Sequence, residues 1–221
     1  MIDMLVNKRV AVIGYGSWID ANDRRSMRVW QSTLHYGFVG ALCLTEASET
    51  FHHWQAFASG QSGVCVVFDK AKLLEMFKGH GLLGSNGHFL TGPMEYVSMR
   101  DIGNIDASNI HRLPFLKRVG FRDEREFRVV GYLVEGGISA MYVPLDFGAI
   151  REVIFSPFMH PTIAKSCNEA IRGIRGNSDF KIFQSRLTDN QTWQKAIADY
   201  PKRHGTIYGN WQEPQTLEFD D

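Results

Sequence analysis

Residues Val64 to Phe68 read VCVVF, a run in which every side chain is apolar and three of the five are β-branched. The run is too short for a helix and stands before a capping aspartate, so it predicts a strand buried on both faces. RVAVIG at residues 9–14 and FVGALCL at residues 38–44 carry the same signal. So do EFRVVGYLV at 126–134 and the short EVIF run at 152–155. Residues 126–134 and 138–143, joined by Glu135-Gly136-Gly137, read as a hairpin. A last strand is expected at 180–186.

The stretches between these runs are helical in spacing. Asp20-Ala21-Asn22-Asp23 offers capping side chains ahead of Met27, Trp30 and Leu34, which recur on one helix face. Thr45, Ser48 and Glu49 predict the opening of a second helix that runs to Ser59 and stops at Gly60. Asp69 caps residues 70–77, and Pro161 suits the first turn of a helix over 161–174. Residues 106–118 read as a helix interrupted at Pro114. Residues 78–92 contain five glycines and no clear period, which predicts a mobile surface loop near the site entrance. The expected fold is α+β, with a central mixed/antiparallel β core from residues 38–68 and 126–156 and flanking helices. Residues 1–200 read as a single domain and 201–221 as a polar C-terminal tail.

Composition narrows the function. Among 221 residues, 24 Lys and Arg balance 24 Asp and Glu, which excludes a strongly basic nucleic-acid coat and a strongly acidic tail as whole-chain readings. No stretch approaches the roughly 18 apolar residues of a membrane helix. The apolar start, Met1 to Val6, meets Asn7-Lys8-Arg9 at once and is too short for a signal-peptide core, so a cytoplasmic protein without a membrane partner is expected. Cys43, Cys65 and Cys167 are widely spaced and read as reduced core thiols. Tyr15, Trp18, Trp54 and Phe121 sit beside turns, as cleft-lining aromatics do.

Four segments invite chemistry. Gly14-Tyr15-Gly16 follows a strand, but Ile19 stands where a dinucleotide loop needs its third glycine. His52 and His53, adjacent on a helix, point roughly 100° apart and cannot share one metal. No metal site is expected. Thr45 stands at a strand-to-helix corner, where a hydroxyl and free backbone N–H groups can meet a ligand. Glu124 and Glu126 are two apart at a strand start, so their carboxylates share a face and repel unless cations or ligand hydroxyls lie between them. Lys117, Arg118, Arg122, Arg125 and Arg128 flank them. This setting suits a polyhydroxylated, anionic ligand, with one carboxylate stabilising an oxocarbenium-like centre.

HHWQAFASGQSGVCVVFD, PFLKRVGFRDEREFRVV and REVIFSP together resemble the bacterial family of domain of unknown function 2971. Trp54 to Asp69 matches its Trp/Gly block, Lys117 to Val130 its paired-Glu block and Ile150 to Pro157 its third block. Asn22-Asp23 resembles a weaker form of its N-terminal corner. More distantly, the order of pieces resembles an ADP-ribosyltransferase plan. That resemblance implies NAD as co-substrate, Glu126 as the catalytic acid on the nicotinamide-ribose 2′-hydroxyl and Glu124 as the residue orienting the acceptor. Tyr15 would take the first-strand position, with Thr45, Trp54 and Arg128 lining the NAD site. The implied function is an ADP-ribosyltransferase-like or NAD glycohydrolase toxin or phage-defence effector. Its partners would be a protein or nucleic-acid acceptor and an antitoxin. A non-catalytic ligand-binding domain is the alternative. A further alternative is a nucleic-acid-acting protein using the basic stretch 117–128.

Overall fold

The computed structural model describes residues 2–58, 61–78, 88–104, 108–176 and 178–204. The chain divides into two compact units, residues 1–185 and 186–221. The first unit begins with α1 (Ile2–Val6), β1 (Arg9–Gly14), α2 (Ala21–Thr33), β2 (Phe38–Thr45), α3 (Phe51–Phe57), β3 (Val64–Phe68) and α4 (Lys70–Phe77). Strands β4 (His88–Pro93), β5 (Glu95–Val97), β6 (Leu116–Arg118), β7 (Glu126–Leu133), β8 (Ala140–Pro144) and β9 (Ile150–Phe155) follow. Helix α5 (Pro161–Arg175) and β10 (Lys181–Gln184) complete the unit.

The expected α+β architecture is present, but its strands form more than one sheet. Five strands in the order β4-β7-β2-β1-β8 make an antiparallel sheet. A second sheet has the order β10-β9-β3, and β5 with β6 forms a short parallel pair. Helix α2 lays Met27 and Trp30, both fully buried, on Val39, Ala41 and Val130 of the large sheet. Leu73 and Phe77 of α4 pack with Val12, Val129 and Val143 on its other face. Ala164 and Ile171 of α5 join Val153 and Phe155 of β9 in a third cluster.

The hairpin expected from residues 126–134 and 138–143 does not form. Strand β7 is paired along its length with β2 on one side and β4 on the other, so it has no free edge for β8. Strand β8 instead flanks β1. Its connection passes the start of β2, where a Cβ on Gly37 would lie 2.3 Å from the carbonyl carbon of Glu135. Only glycine fits that approach. A row of glycines also crosses three strands, with Gly14 opposite Gly40 and Gly40 opposite Gly131. The Phe38 ring occupies the space a Cβ on Gly40 would need, at 2.8 Å.

Other expectations shift for local reasons. Strand β3 is half-buried throughout rather than buried on both faces, because β9 is its one partner. Helix α3 starts at Phe51, where the Thr50 hydroxyl accepts from the His53 N–H at 3.1 Å. Thr45 is held in β2. Ile110–Phe115 is a 3-10 turn rather than α-helix, and residues 116–118 are strand; Pro114 has no N–H to donate to a helical ladder. The loop expected at 78–92 falls largely on 79–87, which lie outside the described residues, while its end, His88–Pro93, is strand β4. In the second unit, α6 (Gln191–His204) is capped by Asn190, whose side chain accepts from the Trp193 N–H. The expected tail therefore begins as helix, and residues 205–221 lie outside the described residues. Among the described residues no helix is long and apolar enough to cross a membrane.

Candidate functional site

The end of β7 and the turn before it carry the site. Val119–Glu124 is a 3-10 turn, and Arg125 takes a left-handed conformation (φ 43°) before β7 begins at Glu126. The reversal at Arg125 turns both glutamates toward one cation. Lys117 Nζ, from β6, donates to Glu124 Oε2 at 2.5 Å and to Glu126 Oε2 at 2.8 Å. The two carboxylates converge, but not as neighbours on one strand face as expected: Glu124 lies in the turn before β7, and a lysine of the same chain sits between them.

Glu126 is 5% exposed and meets a second cation. Arg128 Nε donates to Glu126 Oε1 at 2.5 Å, and Nη2 approaches Oε2 at 3.3 Å. The far side of the guanidinium faces α2, where Nη1 and Nη2 donate to the two oxygens of Asp23 at 3.1 and 2.5 Å. Nη1 also donates to the Pro114 carbonyl, and the Trp18 ring covers the group at 4.9 Å. All five N–H donors of Arg128 are thereby engaged inside the protein. Glu124, Lys117, Glu126, Arg128 and Asp23 form a chain of alternating charge, half-buried at Lys117 and Glu124 and buried from Glu126 to Asp23. Three carboxylates and two cations leave one net negative charge.

The titration of each group follows from its neighbours. Burial would raise Glu126, but hydrogen bonds and charge from Arg128, with help from Lys117, hold it below its ordinary value. Burial raises Glu124 above its ordinary value, and Lys117 alone offsets only part of that effect. Burial would depress Lys117, yet its bonds to the two glutamates hold it high. Arg128, despite burial, is held high chiefly by Asp23. The pair therefore divides into one firmly ionised acid and one acid that takes a proton more readily.

Thr45 and Glu126 are direct partners across β2 and β7. The Thr45 hydroxyl donates to the Glu124 carbonyl at 2.6 Å and accepts from the Ala47 N–H at 3.0 Å. Cys43 lies opposite Arg128 on the same strand pair. It was expected in the core but is exposed, although protein surrounds it; desolvation, with the Glu126 charge adding, pushes its thiol up to about 12. The thiol is thus protonated near neutral pH and a poor nucleophile. Tyr96 from β5 accepts the Glu126 N–H at 2.8 Å.

Two expected site residues are engaged in other contacts. Trp54 is 4% exposed and donates its indole N–H to Glu49 at 3.0 Å. Tyr15 follows Gly14, which pairs with Gly40, five residues along β2 from Thr45. At about 3.4 Å per residue that is roughly 17 Å from the Glu126 end. The Tyr15 hydroxyl donates to Gln31 at 2.6 Å, and its side chain lines a separate groove of about 710 Å³ with Ile13, Ser139 and Tyr142. Arg128 is at the site but has no donor left for a ligand.

Sequence reasoning placed Lys117 among the cationic flanks and Asp23 among the capping residues without giving either to the site. The cap itself is made by Asp20, which accepts from the Asn22 and Asp23 N–H groups and leaves the Asp23 carboxylate free to turn inward. In the basic stretch 117–128, Arg118, Arg122 and Arg125 are exposed, while two of its cations turn inward. Lys117 and Arg128 are internal, and Arg118 lies over Phe121 and 3.8 Å from Asp20. Among the described residues no group of three or more His, Cys, Asp and Glu is arranged to hold a metal. Comparison with known proteins finds no family model, no curated protein and no solved structure that matches this chain.

Proposed function

We propose that this chain consumes NAD, as an ADP-ribosyltransferase-like enzyme or NAD glycohydrolase of the toxin or defence-effector kind that its resemblance implies. One observation carries the reading: the hydroxyl corner of Thr45 and the Glu-x-Glu turn, far apart in sequence, meet as direct partners on adjacent strands. In the proposed reaction the bond between nicotinamide and the ribose carbon breaks, and its electron pair leaves with neutral nicotinamide. The positive ribosyl centre that remains is captured by water or by an acceptor nucleophile, whose proton passes to solvent. Glu126 supplies the negative charge that stabilises this centre. Arg128, itself clamped by Asp23, keeps Glu126 ionised and in place. Glu126 Oε2, beside the Lys117 ammonium, is the oxygen that would accept a further hydrogen bond from a ribose hydroxyl.

A second reading has its own support. Both oxygens of Glu126 already accept hydrogen bonds, and the side chain is buried. A chain so paired also suits a structural element in a non-catalytic ligand-binding domain. Incubation with NAD and measurement of released nicotinamide separates the two. Release by the unmodified protein that is abolished in Glu126→Gln supports the enzyme. No release in the presence of candidate acceptors, with NAD binding retained, supports the binding domain.

A further inference from the structure

We propose that Lys117 is a positioning residue that joins Glu124 and Glu126 into one working unit. The inference rests on the enzymatic reading above and assigns a role to a residue that reading leaves without one.

Among the described residues, Lys117 is the side chain that touches both carboxylates, at 2.5 and 2.8 Å, and its side chain is 11% exposed. Its ammonium is also 5.0 Å from the Phe121 ring centroid, so an aromatic face and two acids fix its place. Its backbone is anchored independently. Strand β6 pairs with β5, with Tyr96 opposite Lys117, and the Tyr96 hydroxyl accepts the Glu126 N–H. The same two-stranded piece thus sets the height of the lysine and the start of β7.

Two carboxylates this close cannot both remain ionised cheaply without a cation between them. Arg128 cannot take over, because its donors face Asp23, Pro114 and Glu126. Among the described residues, Cys43 from β2, Tyr96 from β5 and Asp123 from the turn also act on the pair and bring no positive charge, and His53 of α3 meets the Asp123 carbonyl rather than either carboxylate. Without Lys117, Glu124 loses its cation and takes a proton at higher pH, and Glu126, left to Arg128 alone, loses part of what keeps it ionised.

The test is the pH dependence of nicotinamide release in Lys117→Met, Lys117→Arg and the double variant Lys117→Met with Glu124→Gln. Lys117→Met is expected to move the acidic limb of kcat up by about 1–2 pH units, with KM little changed. Lys117→Arg, which keeps the charge, should restore it. The double variant removes one acid with the cation, so its limb should return to the acid side; it carries the test if Lys117→Met does not fold. Carboxylate titration of carbon-13-labelled glutamate by NMR reads the same shift without turnover. Limbs and titrations in Lys117→Met that coincide with those of the unmodified protein overturn the proposal. A shifted titration with no nicotinamide release from any variant leaves the Lys117 role standing and removes the enzymatic reading instead.

Discussion

Glu126 and Arg128, two residues apart on one strand, meet side chain to side chain at 2.5 Å, and neither is more than 5% exposed. A strand places residues i and i+2 on the same face, so the pairing needs no turn and no distant closure. The pair lies under Trp18 and against Asp23 of α2, so its charges are shielded from water. The consequences of altering either member are therefore larger than for an ion pair in solvent.

Glu126→Gln should keep the fold and lower nicotinamide release by about 10²–10³-fold, because an isosteric amide accepts a hydrogen bond but cannot supply full negative charge. Glu124→Gln should be milder for glycohydrolysis and harsher for transfer to an acceptor. Release rates equal to those of the unmodified protein in Glu126→Gln would exclude it as the catalytic acid. Stability alone does not discriminate here, since burial makes this substitution costly under either reading.

Asp23→Ala removes two of the five hydrogen bonds of Arg128 and leaves a buried guanidinium short of an anion. Breaking a buried pair from one side costs about 3–5 kcal/mol. Urea unfolding should show a loss in that range, with Asp23→Asn losing less because one carbonyl oxygen remains. A change below about 0.5 kcal/mol would mean that the contact is not maintained in solution.

Acid unfolding carries the signs of both glutamates. The folded-state value of Glu126 is depressed, so its contribution to stability is present above the ordinary value of 4.5 and is lost as pH falls through the lower folded value. Glu124 is raised, so it works against stability at neutral pH and that penalty fades as pH falls toward 4.5. Urea midpoints measured from pH 7 down should fall steeply only below about 4.5. Glu126→Gln should flatten the fall, and an unchanged slope in that variant would assign acid sensitivity to other groups.

Gly40→Ala should destabilise by about 1–3 kcal/mol, the usual cost of overpacking a filled interior. Its Cβ would lie 2.7 Å from the Ile13 carbonyl oxygen, which is backbone of the neighbouring strand and has little room to move. Gly16, with nothing within 4 Å of a Cβ, is the control and should tolerate alanine within about 0.5 kcal/mol. Equal losses at both positions would contradict the glycine row.

Much of the fold was legible where a signal is local. Apolar β-branched runs marked β1, β2 and β7, and Asp20 and Asp69 marked the starts of α2 and α4. Pairing was not legible. Glu135-Gly136-Gly137 signals a reversal of direction, but which strand β8 meets depends on edges already claimed by β2 and β4. Thr45 was expected to open the second helix; the Glu124 carbonyl, remote in sequence, takes its hydroxyl, and Thr50 caps α3 instead. At the site, the sequence brought the two glutamates together for the wrong reason: the left-handed turn at Arg125, not strand alternation, makes them converge. Asp23 and Lys117 were hidden because a cap residue and a basic flank are ordinarily solvated, and only tertiary packing turned them inward.

The contact between Asp23 and Arg128 spans 105 positions of sequence. During synthesis α2 leaves the ribosome long before its ionic partner exists, and domains complete their packing only when all strands are available. Until β7 emerges, Met27 and Trp30 have no Val130 to cover them, and Asp23 stays hydrated. Docking of α2 is therefore complete only once β7 is present, which joins loop closure to the dehydration of two ions. A nascent chain halted before Arg128 would carry an incompletely covered helix and an unfinished sheet, a state open to chaperones and proteases.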